Sequence, residues 1–209
     1  MARTVLRWVL LCAAAEALGM TTSAVAARLS DSAFPEPRSG AAAAGALGVI
    51  VAGGLVEGTA LGLAQVAGLR PWLPRLHRAA YLGVTVAVAG LGWAVASAPQ
   101  ALGDDQGGAS PPAALMVLGG AGIGLVMGPV LGGAQALVLR GQAPRPWRWL
   151  LANAVAWPPA MALIMLGATT PDASWSTPAV ALTGTVTGLV AGATLGAVLG
   201  RFVPSVTQA

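Results

Sequence analysis

Lysine is absent from this 209-residue chain, and cysteine, histidine and tyrosine occur once each. Without lysine there is no G-x-x-x-x-G-K-[ST] phosphate loop and no Schiff-base amine. Cys12 and His77 alone cannot build a zinc site, and a disulfide within the chain has no second thiol. Charge is the scarcest property of all: charged residues make up 9% of the chain, against about 25% in ordinary soluble domains. Eleven arginines and seven acids cannot cover the surface of a water-soluble globule of this size. What the chain has instead is 56% hydrophobic residues and a mean hydropathy of +0.75. Its 29 glycines and 15 prolines are set among Ala, Val and Leu rather than among Ser, Gln and Glu, so disorder does not explain them.

Six apolar stretches are long enough to cross a bilayer, which takes about 20 residues: 5–27, 41–68, 77–98, 112–139, 148–168 and 178–202. The breaks between them are too short for a soluble domain. The expected fold is all-α, a polytopic membrane bundle of six transmembrane helices forming a single membrane domain over 1–209. Arginine orients it. Arg3, Arg7, Arg70, Arg75, Arg78, Arg140, Arg145, Arg148 and Arg201 fall on one side with no acid. Arg28 and Arg38 share the other side with Asp31, Glu36, Asp104, Asp105 and Asp172. Arginine-rich loops stay cytoplasmic, which places both termini on the cytoplasmic face of the plasma membrane. The pI near 11 therefore reflects membrane orientation, and no nucleic-acid partner is expected. The expected partners are the lipid bilayer and either another membrane protein or a second copy of the chain.

Residues 1–27 have a rival reading as a secretory signal, since Arg3 and Arg7 precede an apolar run that ends in Ala24-Val25-Ala26. Glu16 in the middle of that run argues against it. So does an internal repeat that needs a helix there.

Gly54–Arg70 aligns without gaps on Gly124–Arg140, with ten of 17 positions identical, including Gln65/Gln135 and Arg70/Arg140. Gly188-Leu-Val-Ala-Gly-Ala-Thr-Leu-Gly196 repeats the first part of the pattern. The unit is a helical hairpin used three times in parallel, over about 5–70, 71–140 and 145–202. Gly54, Gly58 and Gly62, then Gly124, Gly128 and Gly132, then Gly188, Gly192, Gly196 and Gly200 recur every four residues. Such stripes let backbones approach closely in lipid. The even helices are expected to pack through these faces at the centre, with the odd helices outside and Gln65 and Gln135 on the glycine face. The pattern G-x-x-x-G-x-x-x-G-x-A-Q-x-x-x-L-R, followed by W-x-L-A-N-A at Trp149–Ala154, resembles a group of bacterial hexahelical membrane proteins of no assigned activity. It departs from them at Val66 and Ala136, where they carry Trp, and at Ala156, where they carry Gly. The resemblance implies a six-helix repeat protein and no site residues.

Glu16 and Glu57 are the chemically informative pair, because an ionisable residue inside a span is costly and by default functional. At ~1.5 Å per residue both lie near mid-membrane. Two carboxylates at one height in low dielectric cannot both ionise cheaply, so the pair is a candidate proton or cation site. The plainer alternative has each Glu hydrogen-bonded to Thr59, Thr21 or a backbone carbonyl and serving only helix packing. Gln65, Gln135 and Asn153 share a shallow level and suit an inter-repeat polar layer. Pro129 and Pro158-Pro159 mark kinks. Trp8, Trp72, Trp147, Trp149 and Trp175 suit an interfacial belt, and His77 suits a solvated loop. Gly119–Gly124 misses the G-x-G-x-x-G spacing.

No catalytic residue, metal site or cofactor is expected. The chain reads as a structural, accessory or assembly subunit, with a small proton- or cation-coupled transporter as the alternative. Cysteine substitutions at Arg75 and Asp104 test the topology. The Asp104 position is expected to react with impermeant maleimide from outside intact cells, and labelling of the Arg75 position from that side contradicts it.

Overall fold

A computed structural model describes residues 2–102, 112–172 and 174–208. Asp104 and Asp105 lie outside the described residues, so the charge of the α3–α4 connection stands on sequence alone. Among the described residues the regular structure is entirely helical: α1 Ala2–Ala33, α2 Gly40–Leu69, α3 Arg78–Leu102, α4 Ala113–Leu139, α5 Trp147–Ala168 and α6 Thr177–Thr207. All six are long and apolar enough to cross a membrane. α1 runs six residues past the expected span and α6 five, because the helical ladder continues after the apolar stretch ends.

Each helix packs on its neighbours in chain order, and α6 returns to α1, closing a six-membered ring. α1 and α6 are the most buried helices, α3 and α4 the least. The loops after α2 and α4 meet at one end, where the His77 N–H donates to Gln142 Oε1 at 2.9 Å and the Arg145 N–H to the Val206 carbonyl at 3.3 Å. That end therefore carries the two arginine-rich loops together with the end of α6, and Arg140 sits over the Trp147 ring at 5.5 Å. At the opposite end Arg28 donates to the Trp175 carbonyl at 2.8 Å, tying α1 to the α5–α6 loop. Arg38 is buried there, bridging to Asp31 at 2.7 Å and Glu36 at 3.2 Å and donating through Nε to the Phe34 carbonyl. In the exposed α5–α6 loop, hydrogen bonds from the Ser174 hydroxyl and backbone N–H hold the Asp172 carboxyl below its ordinary range.

The glycine faces depart from the expected arrangement. They do not meet one another. Gly54, Gly58 and Gly62 face α3, at Trp93, Ala89 and Leu82 with Thr85. Gly124, Gly128 and Gly132 face α5, at Pro158, Asn153 with Trp157, and Leu150. Gly188, Gly192, Gly196 and Gly200 face α1, at Glu16 with Ala17, Cys12 with Ala13, Val9, and Trp8. Each even helix thus lays its groove on the odd helix that follows it around the ring. The physical reason is ridge-into-groove packing: two grooves laid together leave a void, whereas a groove filled by a neighbour's backbone and side chains regains dispersion contact.

The even helices do reach the centre, through a stripe one position away from the glycines. Leu61, Gln65 and Leu69 on α2, Leu131, Gln135 and Leu139 on α4, and Leu195, Leu199 and Val203 on α6 are all buried. The odd helices are not simply outside either. Trp8 on α1 and Trp149 on α5 are 3% and 0% exposed and pack edge to face at 5.9 Å, so neither belongs to an interfacial belt.

A Cβ on Gly128 would lie 2.5 Å from the Asn153 carbonyl oxygen, a backbone atom that cannot step aside, whereas a Cβ on Gly122 of the same helix meets nothing within 4 Å. Gly128→Ala is therefore expected to lower unfolding stability by about 1–3 kcal/mol through overpacking. Gly122→Ala should be neutral or stabilising by up to ~1 kcal/mol, because it removes a helix-interior glycine. Unfolding of the two variants in lipid bicelles checks the contrast.

Candidate functional site

Two polar centres lie inside the ring. The first is a layer toward the end that carries the arginine-rich loops. Gln135 Nε2 donates to Gln65 Oε1 at 2.8 Å and to Thr85 Oγ1 at 2.9 Å. The Tyr81 hydroxyl donates to Gln65 Oε1 at 3.0 Å, and Trp149 Nε1 donates to Gln135 Oε1 at 2.7 Å. Asn153 bonds within its own helix: its amide donates to the Trp149 carbonyl at 2.9 Å, and its Oδ1 accepts from Trp157 Nε1 at 3.0 Å. Gln65, Gln135, Tyr81, Trp149 and Asn153 are fully buried. The two glutamines bond each other directly, whereas Asn153 bonds only within α5, one turn beyond Trp149. The aromatic donors that complete the layer were not evident from sequence, where Trp149 read as a belt residue.

Two donors near this layer have no partner, Gln65 Nε2 and Trp8 Nε1. The Trp8 omission traces to position 199. Three residues before each layer position, Gly62, Gly132 and Gly196 rest on Leu82, Leu150 and Val9, each the residue after Tyr81, Trp149 and Trp8. Position 199 therefore stands to Trp8 as Gln135 stands to Trp149 and Gln65 to Tyr81. It holds leucine, which offers no acceptor.

The second centre contains the two glutamates, and the structure gives them different surroundings. Glu57 is 7% exposed; its Oε2 accepts from Trp93 Nε1 at 3.0 Å and from Ser23 Oγ at 3.4 Å. Thr59 and Thr21 do not hold it: Thr59 donates to the Leu55 carbonyl, and Thr21 bonds the Ala17 carbonyl and Thr185. Glu16 is 1% exposed, packs its Cβ toward Gly192, and neither carboxylate oxygen has a hydrogen-bond partner. The carboxylates are within electrostatic range of each other. The Glu57 backbone stands beside Gly19 of α1, one turn from Glu16, and its hydrogen bonds tie the carboxylate to Ser23 and Trp93.

Glu57 also lines a cavity of about 120 Å³. Met20, Met127, Met161 and Met165, four of the six methionines in the chain, form much of its wall, with Trp93 and Trp157 beside them. The cavity lies under the seam between α3 and α4, the ring neighbours that touch least. Its rim there, Ala96, Gly92, Ile123 and Met127, is exposed or half-buried. Sequence reasoning missed this site. The available signal was position: Trp93 and Trp157 lie in mid-span, where an interfacial anchor has no use.

No grouping of three or more His, Cys, Asp or Glu suited to a metal ion occurs among the described residues. Comparison of the chain with protein-family models, with curated proteins and with solved structures finds no match.

Leu199→Gln should supply an acceptor to the orphaned Trp8 Nε1. The expected outcome is unchanged or increased stability, although a polar group placed in a core ordinarily costs about 1–3 kcal/mol. Gln135→Leu, which removes three hydrogen bonds, should destabilise. A large loss in Leu199→Gln contradicts the assigned geometry.

Proposed function

We propose that this chain is a non-enzymatic integral membrane protein, an accessory or assembly subunit of the plasma membrane built from three hairpin repeats. Both termini face the cytoplasm. Its partner is another membrane protein or a second copy, met through the outer apolar faces, and it needs no cofactor. The observation that carries this reading is the way the interior is closed. Glycine grooves are filled by neighbouring backbone, and the polar layer is satisfied chiefly by direct side-chain bonds. The cavity at Glu57 is walled by methionine and tryptophan and opens sideways toward lipid rather than along the bundle axis. A subunit of this kind binds and holds; it does not conduct.

One observation favours the transporter alternative. Glu16 keeps both carboxylate oxygens unpartnered at the heart of the ring, and an unpaired buried acid is the kind of group a proton pathway uses. A route would have to pass Gln65 and Asn153 on one side and Thr21, Thr22 and Ser23 on the other. Asn153 bonds within α5, and the carbonyl of Gln65 is engaged in the layer described above. Thr22 bonds its own helix, Thr21 meets Thr185, and Ser23 bonds Glu57.

Proteoliposomes loaded with a pH-sensitive dye and driven by a potassium diffusion potential decide between the two. Wild-type protein, Glu16→Gln and Glu57→Gln are all expected to match protein-free vesicles. Proton flux in the wild type that either substitution abolishes overturns the accessory reading.

A further inference from the structure

We propose that the cavity at Glu57 is a lateral binding site for a lipophilic cation, one ammonium-type nitrogen carried on a single hydrocarbon chain, entering from the bilayer between α3 and α4. This rests on the reading of the cavity as a holding site and names what it holds.

Charge complementarity selects the occupant. Glu57 is the acid of the cavity wall, and no arginine or histidine lines it. Its two hydrogen bonds both end on Oε2, so Oε1 is left for a ligand. A carboxylate in an apolar cavity is stabilised by a counter-charge brought in with the ligand. A neutral or anionic amphiphile supplies none.

The aromatic and sulfur groups agree with that choice. Trp93 and Trp157 line the cavity, and indole rings attract ammonium groups, most strongly when water is excluded. The four methionines are unbranched and polarisable, and they adapt to chains of varied shape. Trp93 has two duties, donating to Glu57 and walling the cavity, so it fixes the carboxylate where the nitrogen must sit.

Size and access fit one chain. An engineered cavity of about 150 Å³ holds benzene, and about 120 Å³ here takes a headgroup of similar bulk with the chain trailing outward. Glu57 lies 12 residues before the end of α2, ~18 Å along the helix, so the opening faces hydrocarbon. Solutes from water do not reach it directly; membrane-dissolved amphiphiles do.

Equilibrium dialysis of radiolabelled dodecyltrimethylammonium against protein in phosphatidylcholine nanodiscs tests the site, with empty nanodiscs subtracting partition into lipid. One saturable molecule per chain is expected. Dodecanol and dodecyl sulfate, of equal chain length, should show no saturable excess. Glu57→Gln, which retains an acceptor for Trp93, should weaken binding at least tenfold, while Glu16→Gln should leave it unchanged. Gly92→Leu keeps the carboxylate and fills the cavity toward Met127, so it should also weaken binding and provides the test if Glu57→Gln fails to fold. Equal binding of dodecanol, full binding by both Glu57→Gln and Gly92→Leu, or no saturable component overturns the assignment. The flux measurement is separate: a proton current overturns the holding role, and failed dialysis without current overturns the ligand alone.

Discussion

Backbone-to-backbone contact at the glycine faces is the constraint on which the rest of this structure depends. In lipid there is no hydrophobic force pushing helices together, so association relies on dispersion contact and on the few polar groups available. Glycine every fourth residue removes the side chain that would hold two helices apart. A Cβ on Gly192 would stand 2.5 Å from the Cys12 carbonyl oxygen, as one on Gly128 would from that of Asn153. Because the grooves point sideways around the ring, the even helices are free to turn their Leu–Gln stripe to the axis. The polar layer is a consequence of that orientation, and so is the placement of Trp8 and Trp149 in the core.

The same geometry accounts for the cavity. The three glycine stripes serve α2–α3, α4–α5 and α6–α1, which leaves α1–α2, α3–α4 and α5–α6 without one; of these α3–α4 is the loosest, where Gly92 meets only the end of Met127. Bulky, flexible methionines line what remains. Glu57 reaches this space from α2, its carboxylate held by Ser23 and Trp93. One acid is therefore presented to a lipid-facing pocket and the other is enclosed. Sequence position suggested a matched pair; the two acids differ in hydrogen bonding, with Glu57 held by Ser23 and Trp93 and Glu16 unpartnered.

Much of the architecture was readable from composition and periodicity. Hydropathy located six spans within a few residues of the observed helices, and the four-residue glycine period marked the faces on which an odd helix packs. The meeting of Gln65 and Gln135 was recognisable because polar groups at a shared depth in lipid seek each other, whereas Asn153, expected in the same layer, bonds within its own helix. The partner of each glycine face was not readable, since a groove accepts a ridge from any helix and nothing local says which. The roles of Trp8 and Trp149 were hidden for a related reason. An indole near a span end satisfies the interface rule as well as the core, and only the ring order decides. Cavities are harder still, because they arise where five helices fail to meet and no segment encodes that alone.

Magic-angle-spinning NMR of the protein in lipid bilayers tests the central packing claim most directly. With glycine and glutamate carbons labelled, direct carbon–carbon cross-peaks between Gly188 and Glu16 are predicted, as α6 lies against α1. Cross-peaks joining Gly188 to glycines of α2 or α4, with none to Glu16, would contradict the ring and the assignment of every groove in it.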